Sequence, residues 1–182
     1  ACAGPDGTVA PGAAQLAALV ELTNRYPSEP SVWSVAIELH VAVGRLEDAV
    51  RLAQRGMARL PADPAPAEFA ALLLLQLRRP DEARDAARAW RTLTADSPIE
   101  ADLVLARIAL IAGKPKDAIE TLQPYASRLK AEVNKRPDSL GLYAAALLFD
   151  GRVDKAFEAV HDGLEQETKE NRPERALLAE WL

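Results

Sequence analysis

The heptapeptide Gly44-Arg45-Leu46-Glu47-Asp48-Ala49-Val50 is spelled four times along this chain. The later copies, blurred, are Arg78-Arg79-Pro80-Asp81-Glu82-Ala83-Arg84, Gly113-Lys114-Pro115-Lys116-Asp117-Ala118-Ile119 and Gly151-Arg152-Val153-Asp154-Lys155-Ala156-Phe157. Their alanines fall 34, 35 and 38 residues apart. Self-similarity at that period is the mark of stacked helix pairs, in which one pair cannot bury its apolar face without its neighbours.

Each copy reads as a turn that closes one helix and opens the next. Glycine takes the left-handed conformation that ends a helix at no steric cost. A proline or branched residue after it suits the first turn of the following helix. An acidic residue then meets the positive helix N-terminus. The alanine marks a close helix crossing, where a larger side chain would push the helices apart. Arg78 stands where the other copies have glycine, and Pro80 still enforces the break there.

Composition agrees with an all-α chain. Of 182 residues, 49% are hydrophobic and 27% charged, but only 5% are aromatic, so alanine and leucine supply the core and favour closely packed helices. No run of alternating β-branched residues predicts a strand. Net charge is −5, and no basic stripe appears, which argues against nucleic acid as a partner. The single cysteine, Cys2, excludes an intramolecular disulfide. The longest apolar runs, such as Leu142 to Phe149, are too short to span a bilayer.

Residues 1–12 are rich in Gly, Ala and Pro and read as a flexible lead or linker. Helices are expected over 13–25, from Ser31 as N-cap to Val43, and over 47–60, 65–77, 81–93 and 100–112. A long helix over 115–135 should kink or break near Gln123, before Pro124, and is followed by helices over 139–149 and 153–167. Pro173 to Leu182 opens another. Residues 13–182 then form one domain with units at about 30–63, 64–98, 99–136 and 137–170, and partial units at both ends. The apolar stretch Ala176 to Leu182 is expected to cap the fourth pair or to mediate self-association.

The first full unit spells Trp33-x2-Ala36-Ile37-x2-His40, then Gly44, Ala49-x3-Ala53 and Pro61. It resembles the tetratricopeptide repeat, whose pattern is W-x2-L-G-x2-Y…A-x3-F…P. Ile37 replaces the usual small residue and His40 the usual aromatic. Ala70-Ala71, Leu105-Ala106 and Tyr143-Ala144 keep the pattern's place in later units. The resemblance implies a right-handed α-solenoid of antiparallel helix pairs. The first helix of each pair would line a concave groove for a peptide or a partner helix.

Within that frame helical spacing selects a row of groove residues. They are Ser34, Glu38 and Val41; then Glu68, Leu72 and Leu75; then Val104, Arg107 and Ile111; and last Gly141, Ala145, Leu148 and Phe149. Family members that clamp acidic chain ends use Lys, Arg and Asn at such places. This row offers only Arg107, opposed by Glu38 and Glu68, so the expected guest is an apolar or amphipathic segment with one acid for Arg107. The competing expectation is that several of these leucines are consumed by packing between repeats.

Catalytic chemistry finds no constellation. His40 and His161 lie in different repeats without ligand-spaced partners, so no metal is expected: His40 should fill the core and His161 a solvated face. Glu47-Asp48 and Asp81-Glu82 read as helix N-terminal charges. No phosphate loop, nucleophile elbow or zinc-protease motif occurs, so neither enzyme activity nor a cofactor is expected. The function that follows is a protein-interaction scaffold. The alternatives are an accessory segment of a multidomain enzyme, or a cell-envelope lipoprotein organising a secretion or polysaccharide-export assembly. Ala1-Cys2-Ala3-Gly4 has the small-residue company of a lipidated cysteine. A cytoplasmic address is the expectation otherwise. No signal segment and no initiator Met are visible, which reads as a mature form or a fragment of something longer.

Overall fold

A computed structural model describes residues 12–170 apart from 134 and 136. Among them are ten α-helices and no strand. In order they are α1 (Ala13–Arg25), α2 (Pro30–Ala42), α3 (Leu46–Arg59), α4 (Ala65–Gln76) and α5 (Pro80–Leu93). Then come α6 (Ile99–Ile111), α7 (Pro115–Leu122), α8 (Ala126–Ala131), α9 (Pro137–Phe149) and α10 (Val153–Glu170). The segments expected over 1–11 and from Pro173 onward lie outside the described residues.

All four copies of the turn share one hydrogen-bond pattern. Gly44 N–H donates to Val41 O and Arg45 N–H to His40 O, the paired closure of a Schellman motif. The same pair recurs at Gly113 and Lys114, and at Gly151 and Arg152. The three glycines have φ of 77°, 69° and 77°. Arg78 holds the same closure at φ 58°, with its N–H on Leu75 O and that of Arg79 on Leu74 O. The turn thus survives the loss of glycine by forcing an arginine into the left-handed region. Arg79 steadies it: its guanidinium meets Glu82 in a bidentate pair at 2.7 Å and reaches Glu47 at 2.9 Å. That contact with Arg79 holds the Glu82 carboxyl below the usual carboxylate range.

Two compact units result, one up to Ala101 and the other from Asp102. In the first, α1 packs on α2, α2 on α3, α3 on α4 and α4 on α5. Trp33 is 1% exposed and its Nε1–H donates to Pro27 O at 3.0 Å, which satisfies the indole where it is buried. Gly56 shows how close the helices come. A Cβ there would lie 3.1 Å from Pro66 Cβ and 3.4 Å from Trp33 Cε3. The turn alanines Ala49 and Ala83 are both fully buried, as their role at a crossing requires.

In the second unit α7 packs on α9, α8 on both α9 and α10, and α9 on α10. Ala118 and Ala156 are buried in turn. The helix expected over 115–135 breaks at Gln123, the place the sequence marks for a kink or break. Pro124 lacks an N–H and its ring crowds the preceding turn, so the chain passes through a 3₁₀ turn over Gln123–Tyr125 and restarts as α8. The detour places Tyr125 where its hydroxyl donates to the buried Asp102 Oδ2 at 2.6 Å. Lys130 Nζ ties α8 to Asp162 of α10 at 2.6 Å.

One local expectation is corrected. Ser31 is not the N-cap of α2. The helix begins at Pro30, with Glu29 before it and no side-chain cap bond. Proline's fixed φ, preorganised for a first helical position, starts the helix instead.

Candidate partner-binding faces

The turn alanines fix a register for the first helix of each pair: α2, α4, α6 and α9. Counting back from Ala49, Ala83, Ala118 and Ala156, equivalent places are held by Ala42, Gln76, Ile111 and Phe149. One residue earlier stand Val41, Leu75, Leu110 and Leu148. Three before those stand Glu38, Leu72, Arg107 and Ala145, and four earlier again Ser34, Glu68, Leu103 and Gly141.

In the first unit, Glu38 is exposed, Leu72 is 43% exposed, and Val41 and Leu75 are half-buried. Glu68 is half-buried too, and desolvation pushes its carboxyl above the ordinary carboxylate pKa. This face is apolar with an acidic edge. In the second unit, Ile111, Leu148 and Phe149 are 60%, 52% and 75% exposed, Arg107 is exposed and Ala145 half-buried. Such large apolar side chains in water are the informative exception on a folded surface.

Val104 departs from the row. It is buried, and its register mates are Val35, Phe69 and Leu142 rather than Glu68 and Gly141. The equivalent place belongs to Leu103, half-buried, and Leu110 likewise belongs with Leu148. Subtracting the repeat spacing from Leu103 reaches Glu68 directly, so the signal was present in the sequence.

A second concavity lies in the first unit. It has a volume of about 280 Å³ and is walled by His40, Arg45, Asp48, Arg51 and Leu52 among others. Its charges are already matched. Asp48 takes both Arg45, at 3.5 Å, and Arg51, while Arg55 donates to Asn24 at 2.7 Å and covers the Trp33 ring at 5.7 Å. His40 is buried, with Nδ1 2.7 Å from Ala36 O, so that nitrogen carries the proton and donates. It fills the core as its place in the repeat suggested. His161 is exposed and stacks on Phe157. Among the described residues no three His, Cys, Asp or Glu side chains gather as a metal site would need, and no helix is long and apolar enough to cross a membrane. Cys2 lies outside the described residues.

No family model matches the chain, and no curated protein matches it. Solved structures do. The chain is similar to the crystal structure of MamA, at 15% identity and a TM-score of 0.72 over 86% of this chain and 89% of that one. It is similar to a putative kinesin light chain from Podosopora anserina with nearly identical TPR-like repeats, at 19% identity and a TM-score of 0.70 over 86% and 85%. It is similar also to YrrB, described as a TPR protein with an unusual peptide-binding site, at 15% identity and a TM-score of 0.66 over 82% and 74%. The fold is that of tetratricopeptide-repeat proteins.

Proposed function

We propose that this tetratricopeptide-type fold serves as a protein-interaction scaffold, and that the first helix of each pair receives an apolar or amphipathic segment of another protein. The observation that carries this reading is Phe149, 75% exposed, with Ile111 and Leu148 also open on the first helices of the same unit. Covering such side chains gives a partner its binding energy. Arg107 offers a cation for one acid of the guest. In the other unit Glu38 and Glu68 repel an anionic guest, which argues against a clamp for acidic chain ends. The peptide-binding site in YrrB's description supports a peptide as the guest here. The role is binding, without catalysis and without a cofactor.

The test is a pair of substitutions at open positions, Phe149→Ser and Leu72→Ser. Both should abolish capture of partner proteins by the immobilised chain. Both should leave stability within about 0.5 kcal/mol, because neither side chain fills the core. If both changes unfold the chain, these residues belong to packing between repeats and the proposed faces are wrong.

A further inference from the structure

In the first unit, α2 and α4 carry neither lysine nor arginine, and each has one carboxylate, Glu38 and Glu68. Arginines of the neighbouring α3 and α5 are met by acids of their own helices, Arg51 by Asp48 and Arg84 by Asp81. Among the described residues neither Glu38 nor Glu68 makes an ion pair or a side-chain hydrogen bond. Each acid shares its face with an exposed apolar side chain. Glu38 stands three residues after Val35, which is 45% exposed, and Glu68 four before Leu72, which is 43% exposed. Side chains at those spacings lie beside each other on a helix. α2 also packs on α4, so the four belong to one face. Whatever covers Val35 and Leu72 therefore covers the acids too. Glu68 is already half-buried, and that burial is what raises its carboxyl's pKa. An apolar guest would strip away its remaining water and return nothing, and an acidic guest would add repulsion. A guest that brings a cation to each acid avoids both costs.

We propose that the α2–α4 face takes a cationic amphipathic helix, with apolar side chains on Val35 and Leu72 and an arginine or lysine at Glu38 and at Glu68. The inference rests on the scaffold reading and deepens it for this unit: the partner segment is basic as well as apolar. Helix-in-groove recognition places apolar anchors at helical spacing, and the flanking charges set which guest is accepted. Arginine suits Glu68 better than lysine does. A guanidinium is less strongly hydrated, so it loses less on entering a half-buried place, and it gives a carboxylate two parallel hydrogen bonds. Glu38 is exposed and accepts either cation.

Fluorescence anisotropy with two labelled probes tests it on the full chain. One probe is a designed amphipathic helix with leucine along one face and arginine on its flanks. The other is the same helix with glutamate for every arginine. The arginine probe should bind, and the glutamate probe should bind far more weakly. No binding of the arginine probe, or equal binding of the two, overturns the proposal. Removing both acids, Glu38→Gln with Glu68→Gln, should weaken the arginine probe roughly fivefold, the worth of two partly exposed ion pairs. Asp96→Asn with Glu120→Gln takes the same charge from exposed places off α2 and α4 and should leave binding unchanged. Equal losses in the two pairs would mean attraction to the overall negative charge of the chain, and overturn it. Leu72→Ser separates this inference from the reading it rests on. If Leu72→Ser weakens the arginine probe and the loss of both acids does not, the face docks a partner without preferring cations: the proposal falls and the scaffold reading stands. If neither change affects binding, both fall for this unit. A dimer of the chain alone that Glu38→Gln with Glu68→Gln dissolves would give the face to a second copy, and overturn the proposal as well.

Discussion

Helices α4 and α5 are neighbours in the first unit and opposites in sequence. Residues 65–76 of α4 read APAEFAALLLLQ, apolar at nearly every place, while residues 80–93 of α5 read PDEARDAARAWRTL, with charges on one side and alanines on the other. α4 packs against α2, α3 and α5, so most of its circumference is covered and six of its residues are buried. α5 turns one stripe, Ala83, Ala86, Ala87 and Trp90, inward. Periodicity therefore announces the core of α5 and is silent about α4, where core and open face are both apolar. Leu72 and Leu74 illustrate the silence: two residues apart and chemically identical, one is 43% exposed and the other 1%.

The largest effect expected from breaking this contrast is at Ala83→Phe. A ring placed on the small stripe of α5 should cost about 1–3 kcal/mol by overpacking, read as a lowered melting temperature. An unchanged melting temperature would mean that the crossing is not closed. Next in size is the turn that joins the helices of a pair, at Arg78 between α4 and α5 and at Gly113 between α6 and α7. At Gly113 a Cβ would meet nothing within 4 Å, so Gly113→Ala isolates the cost of the left-handed backbone. It should destabilise by about 1 kcal/mol. Arg78→Gly should do the reverse and stabilise by about 0.5 kcal/mol, smaller because glycine also loosens the unfolded chain. Equal and opposite shifts in denaturant midpoint would be too symmetric for that account.

The smallest effect belongs to Glu68 on α4. Burial raises its pKa in the folded state above the ordinary carboxylate value, so the folded chain binds this proton more tightly than the unfolded one. Its penalty is absent at low pH, grows as pH climbs from the ordinary value through the raised one, and is constant above. Glu68→Gln should therefore gain a little stability at neutral pH, and the gain should vanish on acidification. Glu82 runs the other way. Its lowered pKa gives stability that is present above the ordinary value and lost as pH falls through the folded one. A gain at Glu68→Gln that persisted in acid would point to packing rather than charge.

The helix order and the buried alanines were legible because turn chemistry is local: a glycine, a proline and an acid within a few residues suffice. What escaped depended on tertiary neighbours. The pairing of Tyr125 with Asp102 spans two helices and follows from a proline-induced detour whose course no pattern specifies. Val104 was misread because Leu103, Val104 and Leu105 are all apolar, so a shift of one residue leaves the character of that place unchanged. His40 was readable as a core residue only through the repeat, since a lone histidine carries no such signal.

The burial of Trp33 and Trp90, at 1% and 6% exposure, has a spectroscopic consequence. Both indoles belong to the unit that ends at Ala101, while the described residues of the other unit carry Tyr125 and Tyr143 and no tryptophan. With Trp181 replaced by phenylalanine, tryptophan fluorescence follows the first unit by itself, and far-ultraviolet circular dichroism follows the helices of both. Coincident melting curves from the two signals would make the chain a single cooperative folder; separated curves would assign each unit its own transition.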